Sequence, residues 1–206
     1  MYILMDIEWV EAGNRSEITQ IAALRIDNQC KRMDEFVRRI RPSNSKGVQR
    51  SHMAYTGGTS QQFRSAMGFD CVMLEFRDWL DGAETILWWH ESSENLFREK
   101  FQKRFGTEPP PMGVVRKLVR EKLTDGAIKA GTPHVLCQAR SLNAPQPEHF
   151  SKNDVEALRL IMVYAQAWPE DMIAAGCLEK IEYTPKAGLD HKGKGTGAKP
   201  QPVRPA

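Results

Sequence analysis

The strongest constraint on this chain stands at its front. Tyr2-Ile3-Leu4-Met5-Asp6-Ile7-Glu8-Trp9 has the composition of a buried β-strand, yet it carries two carboxylates. Strand side chains alternate between faces with period two. Tyr2, Leu4, Asp6 and Glu8 therefore share one face, and Ile3, Met5, Ile7 and Trp9 share the other. Two acids on one apolar face repel each other and lose hydration unless something offsets both effects. A divalent cation does so, and hard oxygen ligands suit Mg²⁺ or Mn²⁺. On the pair alone the plainer reading, a solvated strand end, prevails. The rest of the chain changes that balance.

Asn14 to Ser16 supply turn residues, and residues 17–26 then read as a second strand that closes a hairpin on the first. Residues 33–41 suggest a third strand ending in Arg38, Arg39 and Arg41, either an edge defended by charge or a contact for phosphates. A short helix over 48–55 follows, then a helical pattern over 61–80 in which Phe69, Val72, Met73, Phe76, Trp79 and Leu80 recur as core positions. Residues 85–90 form a short apolar strand and 91–105 a helix. A helix over 114–123 carries a basic face of Arg116, Lys117, Arg120 and Lys122, read as solvated. Residues 134–139 fit a final strand or a helical turn. A helix beginning near Ser151, its expected N-cap, sends Leu158, Ile161, Met162 and Ala165 inward, and 169–178 is a last short helix. Strands interleaved with helices are the grammar of an α/β fold.

Composition limits the alternatives. With 206 residues, 41% of them apolar, the chain can bury one ordinary core. It has no apolar run of membrane-spanning length and no basic-then-apolar leader. Cys30, Cys71, Cys137 and Cys177 are scattered without a C-x-x-C pair, which points to reduced thiols and a cytoplasmic setting rather than a zinc site or disulfide framework. From Thr184 onward five basic residues face Asp190 alone. Subtracting that +4 from the total of +3 leaves the body at −1, so net charge says little about the folded part. Residues 184–206, rich in Gly, Pro and Lys, cannot offset their ordering entropy and are expected to form a disordered basic tail behind a domain spanning 1–183.

Met5-Asp6-Ile7-Glu8-Trp9, followed by Glu17-Ile18-Thr19-Gln20-Ile21-Ala22-Ala23-Leu24, resembles the first motif of the DnaQ-like 3′–5′ exonucleases, the DEDDh group of the ribonuclease H-like fold. Tyr55-Thr56-Gly57-Gly58-Thr59 looks like the L-T-G-I-T segment that helps form the terminal-nucleotide pocket in that family, and it implies Thr56 and Gly57 as nucleotide-binding positions. His149 and Asp154, with four residues between them, are similar to the last motif, H-x-x-x-x-D. The middle motif is degraded. Members run from a strand into H-N-x-x-F-D or W-G-x-x-D. Aligning Trp89 with the motif tryptophan puts Ser93 at the aspartate, aligning His90 with the histidine puts Asn95 there, and Glu94 lies between. No aspartate lies between Glu84 and Asp125.

The resemblance implies an α/β domain with a mixed five-stranded sheet flanked by helices. It implies hydrolysis of terminal phosphodiesters at the 3′ end of single-stranded DNA or RNA with two Mg²⁺ or Mn²⁺ ions, the second held weakly. Asp6, Glu8 and Asp154 would be the metal ligands and His149 the general base, an imidazole's ordinary pKa near 6.5 suiting that work. Ser93, Glu94 or Asn95 would stand at the second metal. The competing expectation is a domain that kept the fold and binds nucleic acid or a protein partner without cutting.

Overall fold

The computed structural model describes residues 1–12, 14–43, 52–53, 56–123 and 131–174. The expected tail, the 1–183 boundary and most of the expected 48–55 helix lie outside these residues. Strand β1 (Tyr2–Ala12) pairs antiparallel with β2 (Arg15–Ile26), and β2 pairs antiparallel with β3 (Arg32–Arg41). Then come α1 (Ser60–Ser65), β4 (Met67–Gly68), α2 (Phe69–Trp79), β5 (Thr85–Trp88), α3 (Glu91–Phe105), β6 (Met112–Val114), α4 (Arg116–Lys122), α5 (Pro133–Ala139), α6 (Ser151–Ala165) and α7 (Pro169–Ala174). The strands form one mixed sheet in the order β4-β3-β2-β1-β5-β6, with β5 parallel to β1.

The sheet has six strands, not five. One addition is β4, two residues that lie parallel to Ile40–Arg41 and interrupt what the sequence reads as one helix over 61–80. Residues 134–139, open by sequence between a final strand and a helical turn, are helical, and the last strand lies elsewhere. It is Met112–Val114, paired with Ile86–Trp88, while residues 134–139 belong to α5. The physical reason is local. Thr132 caps α5 through its side chain and Pro133 occupies the first turn, where its missing N–H costs nothing; in a strand it would remove a ladder donor.

The period-two pattern of β1 divides the core into two layers. Tyr2 and Leu4 pack with Ala22, Leu24 and Ile26 against α6, α5 and α4. Ile3, Met5 and Ile7 pack on the other side with Ile21, Ala23, Phe36, Phe76 and Phe97, under α2 and α3. In α2, Val72, Met73 and Phe76 are buried while Phe69 and Trp79 pack at the margin. Asp6 and Glu8 continue the first layer toward the C-terminal end of β1, where a register shift between Glu8 and Trp9 marks a bulge. Such irregularities re-aim side chains and are frequent beside functional sites.

Candidate active site

Two elements deliver three acids to one place. Asp6 and Glu8 come from β1 and Asp154 from the first turn of α6, which packs across β1 and β2. Carboxylate oxygens of all three lie within 4.8 Å of one another. They line a cavity of about 260 Å³ together with Trp9, Trp89, His90 and His149.

The electrostatics are unfavourable without a counter-charge. Burial, then the nearby Asp154 and Glu8 carboxylates, push the Asp6 carboxyl well above its usual range, although the Ser151 hydroxyl and the Ile7 N–H pull the other way. Burial, then Asp154, push Glu8 up to about 8. Like charges this close cannot all ionise unless something neutralises them. Oδ2 of Asp154 is moreover buried with no hydrogen-bond partner. A buried acceptor without a donor, beside two further hard oxygen donors, is what a divalent cation satisfies. The residues present therefore fit Mg²⁺ or Mn²⁺.

The His149 loop is tied down at successive residues. Asn153 Nδ2 donates to the Pro147 carbonyl (2.8 Å), Thr132 Oγ1 donates to Glu148 Oε1 (2.6 Å), and the His149 N–H donates to Asp154 Oδ1 (3.2 Å). His149 itself sits in the left-handed region at φ 63°. For a residue with a Cβ that costs about 1–2 kcal/mol, and a conformation so held marks a site where the neighbours override local preference. Ser151, expected as the N-cap, is instead the first residue of α6, capped by Phe150; its hydroxyl is buried and faces Asp6.

The wall opposite the acids is the start of α3. Ser92 and Ser93 line the cavity, and Ser93 is only 3% exposed. Glu94 turns elsewhere. It is fully buried and paired with Arg98 at 2.8 Å, one helical turn on, and neither it nor Asn95 lines the cavity. Thr56 and Gly57 do not line it either. Thr56 is buried, its Oγ1 donating to the His52 carbonyl and its own carbonyl accepting from Gln20 Nε2. Gly57, at φ 65°, packs beside Pro147 and Phe150, so this turn buttresses the His149 loop from behind.

Two histidines escaped the sequence reading as site residues. His90 lines the cavity; burial, then Arg116 and Arg120, hold it toward the neutral form against the pull of Asp154. His134, on α5, is buried with Nδ1 3.1 Å from Asp154 Oδ1 and Nε2 2.9 Å from the Pro145 carbonyl. A carbonyl only accepts, so Nε2 carries a proton. Burial disfavours the charged ring, but the bonds to Asp154 and Pro145 prevail and raise its pKa. The position of His90 next to the degraded motif was a legible hint. His134 gave none, because its partner lies in another helix.

With this geometry in view, similarity to known proteins can be placed. The sequence model of a family described as Exonuclease matches residues 3–88. No curated protein sequence matches the chain. Among solved structures, a 3′-exonuclease studied for 3′-end specific recognition of histone mRNA stem-loop is 17% identical with a TM-score of 0.63, over 85% of this chain and 82% of that one. The nuclease domain of 3′hExo, a DEDDh family member bound to rAMP, is 17% identical with a TM-score of 0.62, over 86% of this chain and 93% of that one. E. coli exonuclease I in complex with a dA16 oligonucleotide is 16% identical with a TM-score of 0.67, and this chain spans 42% of its length. The exonuclease family model thus covers residues 3–88, and the described chain shares the fold of these solved 3′-exonucleases.

Proposed function

We propose that this protein is a metal-dependent 3′–5′ exonuclease acting on the 3′ end of single-stranded nucleic acid. The observation that carries the reading is the convergence of Asp6, Glu8 and Asp154 within 4.8 Å. A bound divalent ion there would supply Lewis-acid stabilisation of the scissile phosphate and a water of lowered pKa. Asp6, Glu8 and Asp154 would hold it. His149, on its fixed loop at the cavity wall, is the group to accept the proton of the attacking water. His134 would hold the Asp154 carboxylate in orientation. One neighbour is described as recognising the 3′ end of a histone mRNA stem-loop and another was solved with a dA16 oligonucleotide, and the site chemistry does not prefer RNA or DNA. Among the described residues no helix is long and apolar enough to cross a membrane.

A second reading rests on a specific observation. Ser93 fills the cavity wall where the family has an aspartate, and Glu94 is bound to Arg98. A domain with only three acids in place can retain affinity for nucleic acid while cutting slowly or not at all. The deciding experiment is incubation of 5′-labelled single-stranded DNA and RNA with Mg²⁺ or Mn²⁺, read as a ladder on a gel beside Asp6→Asn. Shortening from the 3′ end that Asp6→Asn lacks supports the enzyme. Unchanged substrates with retained binding support the second reading.

A further inference from the structure

On the other side of the sheet lies a second, larger hollow of about 580 Å³, distinct from the acid cavity. Its floor is apolar: Ile18 from β2, Ile40 from β3 and Phe69 at the start of α2. Its walls are cationic. Arg15, Arg41, Lys100, Lys103 and Arg104 converge on it from β2, β3 and α3. The acids on its lining are already engaged: Glu17 accepts from the Ser43 backbone N–H (2.8 Å) and hydroxyl, and Asp70 pairs with Arg104 at 2.8 Å.

Such an arrangement resists a structural explanation. Like charges from three elements, gathered around one concavity, oppose folding by self-repulsion. Cations that only solubilise a surface spread apart. Here Lys100, paired with Glu99 at 3.2 Å, and Arg104, paired with Asp70, form part of the wall, while Arg15, Arg41 and Lys103 remain exposed at the rim. An apolar, partly aromatic floor under a cationic rim is complementary to a nucleotide: base or sugar on Phe69, phosphates to the rim. The chain's own basic C-terminal stretch is excluded as occupant by its charge.

Helix α3 links the two sites. Ser93 lines the acid cavity and Lys103 the second hollow. Ten residues separate them, or ~15 Å along a helix axis. At ~3.4 Å per nucleotide, a strand joining the two sites must therefore be at least about five nucleotides long.

We propose that this hollow is a second anchoring site for single-stranded nucleic acid, which holds the body of a strand while its 3′ end occupies the acid cavity. The inference rests on the nucleic-acid reading of the first site, and its test separates the two. Labelled single-stranded oligonucleotides of 3 and 12 nucleotides are titrated in EDTA, which prevents cutting, by the natural protein and by Arg15→Ala/Lys103→Ala. Hydrolysis of the 3-mer with Mn²⁺ is measured in parallel. Each lost phosphate contact on a single strand lowers the salt slope by ~0.7. The double variant should therefore lose ~1.4 in slope and about 25-fold in affinity for the 12-mer at 0.1 M salt. Binding and cutting of the 3-mer should stay unchanged. Equal affinity of both proteins for the 12-mer overturns the proposal, and so does displacement of the 12-mer by a poly-glutamate peptide of equal charge at equal concentration, which would point to an acidic protein partner. Absence of 3-mer cutting in both proteins, with the 12-mer difference intact, would sink the catalytic reading and leave the anchoring site standing.

Discussion

The acid cavity has two walls of opposite character. One wall, built by β1 and α6, concentrates Asp6, Glu8 and Asp154 until two of them are driven toward protonation. The other, at the start of α3, offers Ser92, Ser93 and a His90 held toward neutrality. Of the two acids in that helix turn, Glu91 does not line the cavity and Glu94 is directed away to Arg98. The difference shows that charge on a sequence segment is not charge in a site. A carboxylate contributes to a metal centre only if its helix phase points it inward, and Ser93 has the inward phase while Glu94 has not.

The comparison can be broken most severely from the acid wall. Asp6→Asn removes a carboxylate from the only cluster of this type among the described residues, and activity should fall by at least ~10³ as the proposed metal's stabilisation is lost. The gel assay reads it, and a thermal melt should show that the Mn²⁺-induced rise in melting temperature has gone. A variant that keeps both would place the ion elsewhere.

Ser93→Asp tests the neutral wall. By adding the missing charge at the inward position it should raise turnover by ~10²–10³, or reveal cutting where the natural protein shows none. Asn95→Asp should do nothing comparable, since Asn95 does not line the cavity. The reverse outcome would mean that α3 is rotated so that Asn95, and not Ser93, faces the acids.

His134→Ala asks how far the acid wall depends on its support. Loss of the partner that orients a metal-holding carboxylate commonly weakens ion affinity 10–100-fold. Mn²⁺ titration of the melting temperature should show that shift, with turnover at saturating Mn²⁺ much less affected. Equal loss at saturating ion would assign His134 a part in the reaction itself.

The acid wall also predicts a pH dependence. The folded pKa of Glu8, about 8, lies above a free glutamate's 4.5, and Asp6 is raised likewise. Groups raised in this way favour the folded state while protonated. Their contribution is complete below about pH 4.5 and is lost as pH rises through about 8. The metal-free protein should therefore lose melting temperature between about pH 4.5 and 8, and saturating Mg²⁺ should flatten the decline. Flat metal-free melts over that window would contradict the crowding of the acids.

The smallest effect is expected from Glu94→Gln. Activity should change by less than about twofold, because Glu94 faces Arg98 rather than the cavity. Stability should drop by ~1–3 kcal/mol, since the Arg98 guanidinium loses the more buried of its two acid partners and keeps only Glu108. Loss of activity with unchanged stability would return Glu94 to the site.

Much of this was legible in the residues. The alternation Tyr2-Leu4-Asp6-Glu8 fixed which face of β1 carries the acids, because period two is imposed by the strand backbone itself. The turn at Asn14–Ser16 made β2 its antiparallel neighbour for equally local reasons. The identity of Asp154 came from its spacing to His149 at a helix start. What remained undecided depended on contacts between segments distant in sequence. Residues 134–139 and 112–114 were too short for periodicity to assign, and pairing with β5 or docking on α6 settled them. Three candidate positions for the missing acid differed only in helix phase, which the burial of Phe97 and Phe101 under the sheet determined. His134 met Asp154, and Arg15 met Lys103 across one hollow, only because separate elements packed together. Backbone geometry is local and can be read from the sequence order, whereas the proximity of charges is a property of packing and becomes visible only once the layers close.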